Sequence, residues 1–118
     1  MHVTRIEQAP AYEAPNHIDM RCLRLQGKEA GPSQQMWMGM SQLLPGGHTG
    51  LDASPMEKLY LVLEGRLHVI AEQDGLQQEQ ELGPWDSCRI APGEKRQLVN
   101  RSPRPAVVVL VMPTSAPT

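Results

Sequence analysis

Hydrophobic and polar positions alternate along this chain in short runs, and Pro and Gly residues separate one run from the next. Met20 to Leu25 can lay one apolar face on a sheet, and Gln35 to Leu44 reads as a longer strand stopped by Pro45-Gly46-Gly47. Leu59 to Leu63 is apolar on both faces, which predicts a central strand covered on both sides. Glu64-Gly65 then turns the chain into the alternating run Arg66 to Ala71. Asp74-Gly75 is the strongest hairpin signal and leads into Leu76 to Leu82, polar enough for a sheet edge. Ser87 to Ala91, Arg96 to Asn100 and Pro105 to Met112 supply three further strands. No stretch carries a sustained helical period. Regularly spaced strands with turn residues between them predict an all-β sandwich or barrel. Residues 1–19 read as an arm, 20–113 as the folded domain and 114–118 as a frayed tail.

Composition narrows the function classes. A chain of 118 residues fits one domain and can bury enough surface to fold without disulfides. With 11 basic and 13 acidic residues the formal charge is −2, so no general field draws in nucleic acid or an acidic membrane. Trp37, Trp85, Tyr12 and Tyr60 are the whole aromatic complement, too few for a base-stacking platform. Cys22 and Cys88 are too few and too far apart for a disulfide scaffold or a zinc cluster, and read as reduced, packed thiols. The first thirty residues hold no apolar core of signal-peptide length, and no stretch approaches a membrane span; a cytoplasmic protein is expected.

Two stretches carry a family resemblance. Pro45 to Gly65, PGGHTGLDASPMEKLYLVLEG, resembles the first cupin motif, in which two histidines and a glutamate stand between two glycines. Anchored on Gly46 and Gly65, every spacing aligns without a gap, and Asp52, Ser54 and Lys58 fall on the two histidines and the glutamate. Trp85 to Asn100, WDSCRIAPGEKRQLVN, is similar to the second motif, with Trp85 at its first glycine, Ala91 at its proline, and Gly93 and Asn100 matching. Arg96 stands where that motif has its metal-binding histidine. The resemblance implies an RmlC-like cupin, a double-stranded β-helix or jelly-roll barrel, whose ligand positions have all been replaced.

The replacements reverse the chemistry of the site. A divalent metal about 5 Å from a Lys or Arg charge would be repelled by about 6–7 kcal/mol for each, even at an effective dielectric near 20. No metal and no other cofactor is expected there. Strand alternation puts Tyr60 and Val62 on the face of Lys58, so the expected cavity floor is Asp52, Ser54, Lys58, Tyr60 and Arg96. Such charges must be paired with Asp52, hydrated, or matched by an anionic ligand. Two readings stay open: an ion-pair network bracing the barrel, or a pocket for a small carboxylate or other anion, with Arg96 as a fork and Lys58 as a point charge.

The expected function is therefore metal-free binding of a small, anionic molecule in the barrel. The alternatives are a cofactor-independent isomerase, epimerase or lyase using Lys58 or Tyr60 with Arg96 holding the substrate, and a metal-dependent dioxygenase with a site displaced toward His48. Met36, Met38 and Met40 share one face with Trp37 opposite, and such a stripe reads as core filler. Leu59, Leu61 and Leu63 face away from the cavity and need cover, and the resemblance implies a homodimer.

Overall fold

The structure, a computed structural model, describes residues 1–115; of the expected tail, residues 116–118 lie outside the described residues. Among the described residues nine strands follow in chain order: β1 Ala11–Tyr12, β2 His17–Gln26, β3 Met36–Thr49, β4 Lys58–Glu64, β5 Leu67–Gln73, β6 Leu76–Leu82, β7 Ser87–Ile90, β8 Lys95–Val99 and β9 Ala106–Pro113. They form a nearly closed antiparallel barrel of the cupin jelly-roll kind. Its path runs β6-β5-β8-β3-β9-β4-β7, with β2 on β3 and β1 on β2. Every pairing is antiparallel; β1–β2, β2–β3 and β5–β6 join strands consecutive in the chain, and the other pairings join strands distant in sequence.

Alternation decides the core. Tyr60, Val62, Leu67, Val69, Leu43, Leu98 and Val108 turn inward from facing strands and pack as one buried cluster. The polar β6 lies at the end of the sheet order, where exposed Gln and Glu side chains discourage further strand addition. Asp74 and Gly75 both have positive φ, 53° and 77°, as a two-residue hairpin with a mirror-image turn requires.

The glycine frame of the two motifs has a backbone purpose. Gly65 has φ +81°, and a Cβ there would stand 2.6 Å from the Pro105 carbonyl, so only glycine lets the loop before β9 pass so close. Trp85, which stands at the first glycine of the second motif, has left-handed backbone with φ 70°. The residue is 74% exposed, so its side chain adds nothing to the core. Asn100 is fully buried. Its amide donates to the Leu43 and Arg104 carbonyls at 2.9 and 2.7 Å, and its carbonyl accepts from Ser102 N–H and Oγ–H at 3.0 and 2.8 Å. One side chain thus ties the loop after β8 to the middle of β3.

Three local expectations change. Pro45-Gly46-Gly47 does not stop β3; the strand runs through it to Thr49, because Gly46 N–H and Gly47 C=O pair with Asn100. β4 is covered on one face only, and Leu59 remains 49% exposed. The methionine stripe is not core: Met36 and Met38 face outward at 54% and 36% exposure, while Trp37, on the opposite face, is the buried residue. Both cysteines are free, Cys22 buried and Cys88 half-buried against the core. Among the described residues no helix is long and apolar enough to cross a membrane.

Candidate functional site

A cavity of about 500 Å³ opens between the barrel wall and the N-terminal segment. Asp52, Ser54, Lys58 and Arg96, four of the five residues expected from the sequence, line it together. The fifth, Tyr60, lies beneath them in the apolar core, and its hydroxyl accepts a 2.9 Å hydrogen bond from Arg96 Nε. Burial pushes the Tyr60 phenol above its ordinary pKa, against the pull of that guanidinium. Tyr60 supports the floor from below.

Lys58 opens β4 pointing inward and is only 5% exposed. Its ammonium donates to Ser54 Oγ at 2.6 Å. Burial and then the neighbouring Arg96 charge hold its pKa below the usual lysine value. Arg96, on β8 and 8% exposed, donates through one terminal nitrogen to Thr49 Oγ1 at 3.0 Å and to the Gly50 carbonyl at 3.3 Å. These partners are all neutral. Asp52 pairs with Arg96 through the backbone, by N–H···O bonds of 3.1 and 2.9 Å, yet its carboxylate turns away to accept from Asn16 Nδ2 at 3.2 Å. Among the described residues no carboxylate forms an ion pair with Lys58 or Arg96. The ion-pair brace allowed by the sequence is not what the geometry shows.

The N-terminal segment contributes the other wall, which the sequence pattern did not place in the site. β1 pairs with β2, and Arg24 N–H bonds the Pro10 carbonyl, bringing Tyr12, Glu13, Asn16 and His17 to the cavity. Asn16 adopts φ 58°, a left-handed turn that Asn tolerates, and its carbonyl accepts from Gly50 N–H at 2.8 Å. His17 Nδ1–H donates to the Pro15 carbonyl, 2.7 Å away, and burial lowers its pKa, which favours the neutral ring.

An aromatic corner completes the cavity. Trp37 folds back over Gly39, where a Cβ would stand 2.7 Å from the ring, and meets Tyr12 edge-on with centroids 5.8 Å apart. The Arg24 guanidinium lies 3.5 Å from the Tyr12 centroid and 4.3 Å from that of Trp37, while its charge is paired with Glu29 at 2.8 Å. The only sequence signal for this corner was that Trp37 alternates against the methionine face.

The cupin metal does not fit this chain. The four aligned positions present one carboxylate, one hydroxyl and two cations, with no imidazole among them. Nor do three His, Cys, Asp or Glu side chains gather as a ligand set elsewhere among the described residues. His48 bonds its ring to the Gly46 carbonyl at 3.1 Å, and His68 lies beside Glu79 and Arg101 on β5 and its surroundings, so neither builds a displaced centre.

Comparison with known proteins agrees with the geometry. Residues 39–112 match the family model for the Cupin domain. The β-D-galactosidase Rv1717 of Mycobacterium tuberculosis is 40% identical over 112 residues, spanning 95% of this chain and 93% of that protein. The polyketide cyclase RemF from Streptomyces resistomycificus superposes with a TM-score of 0.84 at 20% identity, over 100% of this chain and 82% of its own. An RmlC-like cupin from Shewanella frigidimarina gives a TM-score of 0.76 at 17% identity, over 98% and 92%. At such identities the two structures speak for the fold alone.

Proposed function

This chain belongs to the Cupin domain family, and on that premise we propose that its cavity takes the terminal sugar of a small β-D-galactoside and hydrolyses the glycosidic bond without a metal. One observation carries the reading: Glu13 and Asp52 line the same cavity as Tyr12 and Trp37. Aromatic side chains suit the apolar C–H groups of a pyranose, and a pair of carboxylates is what glycoside cleavage asks of a protein. A volume of about 500 Å³ accommodates a sugar ring with a modest aglycone and excludes long polymers from full enclosure. The 40% identical galactosidase supports the choice of sugar.

The roles divide by how each carboxylate is held. Asp52 is fixed by Asn16 and by its backbone bridge to Arg96, as befits the group that activates water or attacks the anomeric carbon. Glu13, exposed on the segment opposite and without a hydrogen-bond partner among the described residues, is free to protonate the leaving oxygen. Water supplies its oxygen to the anomeric carbon, and the aglycone leaves with the proton. The test compares an alkyl and a 4-nitrophenyl β-D-galactoside. Glu13→Gln should slow the alkyl substrate by about 10²–10⁴-fold and the nitrophenyl one far less, because nitrophenolate departs without protonation. Equal loss on both substrates removes Glu13 from the acid's role, and full activity of Asp52→Asn removes the pair.

A second reading is binding of a small anion with no chemistry, as expected from the sequence. Lys58 and Arg96, buried without a carboxylate partner, favour it. Saturable binding of simple carboxylates, with no galactoside cleaved, would decide for it. The isomerase or lyase reading loses its phenol, since Tyr60 is buried under Arg96 and outside the cavity lining.

A further inference from the structure

Two cations remain unexplained by the cleavage of a neutral sugar. Lys58 and Arg96 are 5% and 8% exposed, and both line the cavity. Removing an ammonium and a guanidinium from water is costly, and a protein ordinarily offsets that cost with a carboxylate. Here the carboxylate within reach declines the part: Asp52 exchanges two backbone hydrogen bonds with Arg96, yet gives its side chain to Asn16. The third cation of the cavity, Arg24, is already neutralised by Glu29.

The donors also have spare capacity. Lys58 uses one of its ammonium hydrogens on Ser54. Arg96 is held by Tyr60 and Thr49 through Nε and one terminal nitrogen, which orients the plane of the guanidinium and leaves the other terminal nitrogen without a partner among the described residues. A guanidinium clamped along one edge beside a lone ammonium is the arrangement that recognises a planar or tetrahedral oxyanion. The same two charges would repel a metal cation, so the floor discriminates by sign.

We infer that Lys58 and Arg96 form a subsite for a negatively charged substituent, so that the preferred substrate is a galactoside bearing a carboxylate or a phosphate. The inference rests on the galactoside reading of the cavity. The anionic group docks on the floor while the sugar ring lies against Tyr12 and Trp37 and its glycosidic oxygen faces the Glu13 and Asp52 pair. The shared chemistry is the oxyanion; a uronate and a sugar phosphate are its two sources.

The experiment has a binding arm and a cleavage arm. Calorimetry with galactose, galacturonate and galactose 6-phosphate is run on the wild-type chain, on Lys58→Met and on Arg96→Lys, with circular dichroism to show that each variant is folded. The 4-nitrophenyl β-glycosides of the same three sugars are assayed in parallel. At least one anionic sugar should bind about tenfold or more tighter than galactose, and Lys58→Met should erase most of that preference. The stronger of the two anions identifies the source. Equal binding of all three sugars, or a preference that survives both variants in folded protein, overturns the subsite. Anion-dependent binding with no glycoside cleaved keeps the subsite and removes the hydrolase reading; cleavage without anion preference does the reverse. Absence of both binding and cleavage overturns both.

Discussion

Lys58→Met should make the protein more stable while it removes part of the ligand site. The side chain is 5% exposed, makes one hydrogen bond, to Ser54, and has no carboxylate partner among the described residues. Methionine matches lysine closely in length, so repacking costs less than about 1.5 kcal/mol. The lost charge-assisted hydrogen bond is worth about 1.5–3 kcal/mol. Against these stands the desolvation of an unpaired ammonium, several kcal/mol, together with its repulsion by Arg96. Ser54 Oγ still accepts from Met56 N–H at 3.3 Å, so the substitution leaves no orphan. Exchanges of buried charge for apolar volume commonly stabilise, and a net gain of about 1–3 kcal/mol is expected here. For a domain of this size that is a rise in Tm of about 4–12 °C.

The pH dependence gives the test its sign. Lys58 has a folded pKa below the ordinary lysine value of 10.5, so between the two values the unfolded chain binds more protons and wild-type stability rises with pH. The destabilisation is complete below the folded pKa and disappears above 10.5. Tyr60, Tyr12 and Cys88 act oppositely in alkali: burial raises the Tyr12 phenol to about 12 and the Cys88 thiol to about 11, and the stability they contribute is lost as they ionise. Those groups are present in both proteins and largely cancel in the difference. Calorimetric unfolding of wild type and variant near neutral pH and near pH 10 should therefore show a gap that narrows in alkali. A variant less stable than wild type at neutral pH, or a gap that does not narrow, would falsify the view that Lys58 is a buried charge retained for a ligand at the expense of stability.

Asn100→Ala removes four hydrogen bonds of a fully buried side chain and should cost about 2–4 kcal/mol in denaturant unfolding; a cost below about 1 kcal/mol means the loop after β8 is anchored by other contacts. The outer face of β4 and β9, where Leu59, Leu61, Met38, Val109 and Val111 surround a hollow of about 590 Å³, should be covered by a second copy, as the sequence led us to expect. Light scattering should then give twice the 13.1 kDa chain mass, and half of it for Leu59→Asp; a monomeric wild type rejects the homodimer.

Much of the fold was legible along the chain. Period-two alternation marks strands, Asp74-Gly75 demands a mirror-image turn, and Gly46, Gly65 and Gly93 occupy left-handed backbone that few other residues tolerate. The exchange of imidazoles for Lys58 and Arg96 was equally legible, because residue type at an aligned position carries its charge wherever the position lies. Alternation, however, states only which residues share a face. Which face turns inward depends on the sheet that packs against it, and so Trp37 went to the interior and the methionine stripe to the surface. Likewise Tyr12, Glu13 and His17 reach Asp52 only because β1 and β2 fold back along β3, a pairing between distant segments that no local pattern encodes. The sequence offered the Asp52 carboxylate the cations Lys58 and Arg96, but the left-handed turn at Asn16 brings a neutral amide, unforeseen along the chain, close enough to donate to it. Charge content belongs to the sequence; which charges go unanswered is a property of the folded molecule.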